Sequence, residues 1–189
     1  MKIASLIEAP VWRVPAKGPL RRPEILAPAG NEEMMRAAVE NGADAIYFGL
    51  QQFNARMRAA NFDMDDLPRI MAWLHERGVK GYVTFNTLVF CDELPAAAEV
   101  LRGCSDAGVD ALLVQDLGIA RLANEMVPDL PIHASTQMTL TSAESVNAVE
   151  AMGLRLERIV AARELSRKEL QTMRRGTERD VEVFVHGAI

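Results

Sequence analysis

The sequence predicts an α/β fold, a (β/α) TIM-like barrel that is incomplete: about seven βα strands, cut before the barrel closes. Three observations predict it. Gly42, Gly78, Gly108 and Gly153 each precede an apolar run, at residues 45–48, 82–85, 111–114 and 159–161. A glycine ends a helix readily because it tolerates positive φ, and the strand then follows without a special turn. Three further runs, 25–27, 131–134 and 181–185, bring the count to seven strands alternating with six helices, the pattern of a parallel sheet. Polar residues stand just after each strand, at Asn31, Gly49, Asn86, Asp116, Gln137, Glu164 and His186. In a closed (β/α) barrel that end carries the active site.

Length bears on closure. The chain has 189 residues, whereas a whole (β/α)₈ barrel takes about 250, so the choice lies between an open doubly wound sheet and a barrel cut short. With 49% hydrophobic residues the chain can bury a sizeable core. A formal net charge of −5 argues against bulk electrostatic attraction to nucleic acid while leaving room for a local basic site. Cys91 and Cys104 make neither a metal-ligand spacing nor a disulfide framework, which fits a reducing cytoplasm. No run reaches membrane-spanning length. Residues 1–22, interrupted by Pro10, Pro15 and Pro19, read as a proline-rich leader, and the folded unit begins near Glu24.

Taken in order, the helices show their starts. Asp63 before Leu67-Pro68 and Asp92 before Leu94-Pro95 read as caps, with proline tolerated in the first turn. Thr141-Ser-Ala-Glu144 and Ser166-Arg-Lys-Glu169 match the capping box, in which hydroxyl and glutamate satisfy each other's orphan amides. These helix N-termini face the strand tips and favour an anionic or carbonyl-bearing ligand there. Met34, Met35 and Met71 read as core filler, and Asp44 and Asp110, at the opposite strand ends, as stabilising residues.

The candidate ligand contacts follow from this placement. Asn54, Arg56, Arg58 and Asn61 crowd a long loop between the second strand and its helix, and arginines bind carboxylate or phosphate in a forked geometry. Ser135 and Gln137 close the fifth strand, Arg163 and Glu164 the sixth, and His186 the seventh. With Asn31, Asn86 and Asp116 these complete the substrate-binding set. His133 reads as a core histidine, and Ser135 beside it does not read as part of a triad. No nucleophile elbow, phosphate-binding glycine loop or zinc-binding helix motif is present, so no catalytic residue is assigned.

Several stretches in register carry a family resemblance: Pro23-Glu-Ile-Leu-Ala-Pro-Ala-Gly-Asn31, Asn41-Gly-Ala-Asp-Ala-Ile-Tyr-Phe-Gly49, Phe53-Asn-Ala-Arg-Met-Arg58, Tyr82-Val-Thr-Phe-Asn-Thr87, Pro131-Ile-His-Ala-Ser-Thr-Gln137 and Glu182-Val-Phe-Val-His-Gly-Ala188. The chain resembles the collagenase-like peptidase family, number thirty-two among peptidases of unassigned type. The resemblance implies that residues 23–189 are the N-terminal part of a barrel domain. It implies a 4Fe-4S cluster in the full-length protein, with none in this stretch, and RNA or a small anionic substrate as partner. The reaction it implies is hydroxylation of a transfer-RNA uridine or a ribosomal-RNA cytidine, with prephenate as hydroxyl source. A protease, a non-catalytic accessory subunit and a ubiquinone-ring hydroxylation partner are the alternatives. In the family a cluster cysteine follows the histidine-glycine-alanine stretch, and the chain stops at Ile189, one residue short of it. A barrel cut there exposes sheet edges, through which self-association is expected.

Overall fold

The computed structural model describes residues 22–55 and 61–187. Seven parallel strands alternate with six helices in one sheet, in the order of the chain. They are β1 (Leu26–Ala29), β2 (Ala45–Gly49), β3 (Lys80–Phe85), β4 (Ala111–Val114), β5 (Ile132–Ala134), β6 (Arg158–Val160) and β7 (Asp180–Glu182). The helices are α1 (Glu32–Glu40), α2 (Leu67–His75), α3 (Leu94–Asp106), α4 (Leu117–Met126), α5 (Ala143–Ala151) and α6 (Arg167–Gly176). Gly42, Gly78, Gly108 and Gly153 all adopt positive φ, between 68° and 90°, as helix-ending glycines should.

The sheet is rolled, and one ion pair shows it. Glu24, two residues before β1, meets Arg158 of β6 at 2.6 Å. In a flat sheet strands five places apart lie about 24 Å from each other, so β1 and β6 meet only because the sheet curves round on itself. The expected open barrel of seven βα units is therefore the observed fold, with β1 paired to β2 and β7 to β6 at its two ends.

Rolling divides the apolar residues by their period of two. Ile46, Phe48, Val83, Phe85, Leu112 and Val114 point outward into the main core, against Met35, Ile70, Leu74, Leu101 and Ile119 of the helices. The intervening residues Ala45, Tyr82, Ala111, Leu113 and Val160 form a second, inner cluster with Leu26 and Tyr47. Two alanines, Ala45 and Ala111, sit among the larger Tyr82, Tyr47, Leu113 and Leu26 of this inner set.

Some local expectations are corrected. Ser142 caps α5 in place of Thr141, and its reciprocal partner is Ser145 in place of Glu144. Asp63 stands one turn too early, because a short 3₁₀ turn at Met64–Asp66 precedes α2, and Asp92 lies inside the 3₁₀ turn Cys91–Glu93 that precedes α3. Glu93 instead accepts the Phe90 amide at 2.8 Å. The Ser166–Glu169 box forms as predicted. Met35 and Met71 are buried, but Met34 is 56% exposed, one position round the helix from the core. The seventh strand is shorter than the 181–185 run, since the chain leaves the sheet after Glu182. Asp44 and Asp110 are structural: Asp44 accepts the Ile25 amide and Asp110 the Gly81 amide, each at 2.8 Å. Among the described residues no helix is long and apolar enough to cross a membrane.

Candidate functional site

The C-terminal ends of the strands surround a cleft of about 420 Å³. Its chemistry is set by the loop after β2. Gly49 ends that strand, and a Cβ there would fall 1.8 Å from Asn54 Nδ2. The missing side chain lets Asn54 lie across the strand tip, 2% exposed. Asn54 Oδ1 accepts from Thr84 Oγ1 at 3.2 Å, and its Nδ2 donates to Asn61 Oδ1 at 2.8 Å. Phe53 and Asn61, at φ 56° and 49°, hold left-handed conformations that non-glycine residues rarely adopt. Such strain persists only where surrounding contacts impose it. Here Phe53 stacks on Phe85 with centroids 4.7 Å apart, and its carbonyl accepts the Asn86 amide at 3.0 Å. Asn86 Oδ1 in turn accepts the Ala55 amide at 3.0 Å.

Gly49→Ala should therefore expel Asn54 and destabilise the protein by about 1–3 kcal/mol. In an Asn54→Ala background the same change should cost distinctly less, because the clashing group has gone. Urea unfolding of the four proteins measures this, and equal costs in both backgrounds would refute the packing argument.

The far wall comes from the later strands. Ser135 Oγ accepts the Gln137 amide at 3.4 Å. The Arg163 guanidinium lies 4.3 Å over the Phe184 ring. Glu182, Val160, Leu113 and Tyr47 also line the cleft. Of the predicted contacts, Asn54, Asn61, Asn86, Ser135, Gln137 and Arg163 are thus brought together. Asn31 and Asp116 stand on the same rim with a side-chain oxygen engaged in capping α1 and α4. Glu164 and His186 are exposed and outside the lining. Arg56 and Arg58 lie outside the described residues. Sequence reasoning missed Tyr47, Thr84, Glu182 and Phe184, all of which a count by twos back from Gly49, Asn86 and His186 reaches.

Below the cleft lies a half-buried ionic cluster around Glu24. Glu24 accepts from Arg158 Nη1 at 2.6 Å, Tyr82 Oη at 2.8 Å and Lys80 Nζ at 3.2 Å. Burial pushes its carboxyl up, but the hydrogen bonds from Arg158 and Tyr82 outweigh burial and bring it down to about 2. His133 is 1% exposed and edge-on to Tyr82, with centroids 4.9 Å apart. Burial, aided by the Arg158 charge, lowers its pKa to about 3 and keeps the imidazole neutral. Its Nε2 stands 4.0 Å from Glu157 Oε1, too far for a hydrogen bond. His133 and Ser135, two apart, share the inward face. No catalytic pair arises because His133 packs on Tyr82 and Ser135 holds the Gln137 amide.

A second crevice, about 520 Å³, lies outside the strand tips between the loop after β2 and α3. Asp63, Asp65, Asp66 and Glu99 line it, and none of the gathered polar groups reaches it.

Comparison with known proteins decides the family. Residues 30–189 match the sequence profile of Peptidase family U32. The chain belongs to Peptidase family U32. It is 36% identical over 168 residues to the 23S rRNA 5-hydroxycytidine synthase of Escherichia coli (strain K12), covering 89% of this chain and 25% of that protein. It is 33% identical to tRNA hydroxylation protein P1 of Bacillus subtilis (strain 168), covering 89% and 40%, and 32% identical to a collagenase of Porphyromonas gingivalis, covering 88% and 42%. The chain thus spans a quarter to two fifths of the length of these relatives. The solved U32 peptidase Mk0906 superposes with a TM-score of 0.72 at 15% identity, over 88% of this chain and 70% of that one, which supports the U32 barrel fold.

The iron–sulfur cluster that the resemblance implies does not fit the cysteines of this U32 chain. Cys91 is exposed in a 3₁₀ turn, whereas Cys104 is buried in α3 with its thiol pushed up to about 12 by burial. Neither lines the cleft, and among the described residues no group of three metal-binding side chains forms.

Proposed function

We propose that this U32 chain supplies the substrate-binding rim of an RNA-hydroxylation enzyme. The observation that carries the reading is the make-up of the cleft. Amides from Asn54, Asn61, Asn86 and Gln137 and hydroxyls from Thr84 and Ser135 stand beside the stacked Arg163–Phe184 pair. Planar bases held in an unstacked state are recognised by this combination of flat side chains and hydrogen-bonding edges. The names of the ribosomal-RNA and transfer-RNA relatives support it. In the complete protein an iron–sulfur cluster would come from cysteines other than Cys91 and Cys104, and RNA or a small anionic donor would be the partner.

Deleting the gene should remove one hydroxylated pyrimidine nucleoside from RNA digests analysed by mass spectrometry. Restoring it as Arg163→Ala should recover less than about a tenth of that nucleoside, since stacking and base contacts each contribute about 1–3 kcal/mol, with the melting temperature nearly unchanged. An unchanged nucleoside profile on deletion, together with gelatin cleavage by the purified protein, would replace this reading with a peptidase.

A further inference from the structure

Positive charge collects along α6 and its flanks, against the acidic balance of the chain. Residues 163–179 hold six basic and three acidic side chains, in a chain whose net charge is −5. At about 100° per residue, Arg167, Lys168, Gln171, Arg174 and Arg175 share one face of the helix, and all five are exposed. Met173, 1% exposed, lies on the opposite face and anchors the helix on the core. Glu169, the acid within α6, is drawn into the capping box, where it accepts the Ser166 amide at 2.8 Å. The exposed face of the helix therefore carries cations with no acid among them.

Folding accounts for some of these cations and not for others. Arg179 pairs with Glu150, and Arg174 donates to the Thr177 carbonyl at 3.2 Å. Cations in a last turn also suit the negative end of the helix dipole. Arg167 and Lys168 sit in the first turn, where that dipole disfavours positive charge. Among the described residues the side chains of Arg167, Lys168 and Arg175 make neither an ion pair nor a hydrogen bond. Elsewhere Arg36 of α1, Arg69 of α2 and Arg121 of α4 each pair with a carboxylate.

The cationic face lies where a chain leaving the cleft would pass. Arg163, four residues before Arg167, lines the cleft, and α6 starts on the same rim. From there the face runs about 15 Å along the outside of the barrel. A polyanion is its complement. An anionic membrane is a poorer match, because helices that bind its surface insert large apolar side chains, and α6 exposes none.

We propose that the face of α6 bearing Arg167, Lys168 and Arg175 binds the phosphate backbone of an RNA whose target nucleotide occupies the cleft. This rests on the reading of the cleft as an RNA-hydroxylation site and adds to it the surface that holds the flanking chain.

The test compares the complete protein with its Arg167→Gln/Lys168→Gln/Arg175→Gln variant, using bulk transfer RNA and a 23S ribosomal-RNA transcript as probes. Removing three phosphate contacts should lower the slope of log affinity against log salt by about 2. Between about 50 and about 200 mM salt the wild type should thus lose about tenfold more affinity than the variant. Arg167→Lys/Arg175→Lys should keep the wild-type slope, because lysine still meets a phosphate as a point charge. The melting temperature should match wild type, since Ser166, Glu169 and Met173 are untouched. Unchanged affinity and slope in the triple variant would overturn the proposal, as would failure of the wild type to bind either RNA. Loss of binding to phosphatidylserine vesicles with RNA binding intact would overturn it too, assigning the face to a membrane. The gene-deletion experiment fails separately. A lost nucleoside, with RNA binding by the variant unaltered, would sink this inference alone and leave the hydroxylation reading standing. Unchanged nucleosides, with binding weakened in the variant, would sink that reading and keep the phosphate-binding face.

Discussion

Arg158→Met should destabilise the protein by about 3–5 kcal/mol, the loss seen when one partner of a buried ion pair is removed. Arg158 is 14% exposed and stands between Glu24 at 2.6 Å and Glu182 at 3.6 Å, themselves 23% and 17% exposed. Without the guanidinium, two carboxylates remain facing each other in the barrel with little water to solvate them. The ionic bridge also links the start of β1 to β6 and β7, at the place where the barrel sheet has its two ends. Arg158→Lys should lose less, since the positive charge survives on a shorter, more flexible side chain. Adding Glu24→Gln to Arg158→Met should recover part of the loss, because the two residues act as one unit. Urea unfolding monitored by circular dichroism reads all of these. A loss under about 1 kcal/mol would place the bridge among ordinary solvated surface pairs. The pH dependence supplies a second check. Glu24 is depressed to about 2, so its contribution is complete above the ordinary carboxylate range and is lost as pH falls toward 2. In Arg158→Met that acid limb should move upward, toward the usual carboxylate pKa.

His133 should make the protein acid-labile well before its carboxylates titrate. Its pKa falls from 6.5 to about 3, first through burial and then through the Arg158 charge. Between those values the unfolded chain binds a proton that the folded chain refuses. Stability is therefore complete above 6.5 and declines as pH falls toward 3. At about 1.4 kcal/mol per pKa unit the full decline is about 5 kcal/mol, comparable with the whole stability of a marginal domain. His133→Phe keeps an aromatic ring against Tyr82 and has no proton to refuse, so it should flatten the melting-temperature profile over that range. Glu182 shifts in the other direction, its stabilising contribution being greatest when protonated and lost as pH rises. The comparison is therefore made between variant and wild type at matched pH. Parallel profiles would exclude His133 as the source of the acid loss.

Much of the fold was readable along the chain because its signals are local. Gly42, Gly78, Gly108 and Gly153 adopt the positive φ that their positions before apolar runs suggested, and Ser166 with Glu169 closes the box their spacing described. Where an extra 3₁₀ turn intervenes, as at Met64–Asp66, the cap signal of Asp63 pointed one turn too early, since spacing alone does not reveal a change of helix type. The site was legible in part for the same reason. Tip residues such as Asn86 and Ser135 follow their strands directly, whereas Tyr47, Thr84, Glu182 and Phe184 reach the cleft by pointing inward from positions set by the roll of the sheet.

By itself, then, the sequence determined the succession of seven βα units, their parallel pairing, the family and the end of the barrel at which polar residues collect. Only the tertiary structure decided which of those residues meet. Capping holds Asn31 and Asp116 to their helices, while the absent side chain of Gly49 admits Asn54 to the strand tip. It also decided that Glu24 and Arg158, 134 residues apart, share a charge-assisted hydrogen bond at the mouth of the rolled sheet. The physical reason is range: helix stops, caps and strand alternation act over a few residues, whereas burial and charge pairing depend on which distant strands the closing curvature brings face to face.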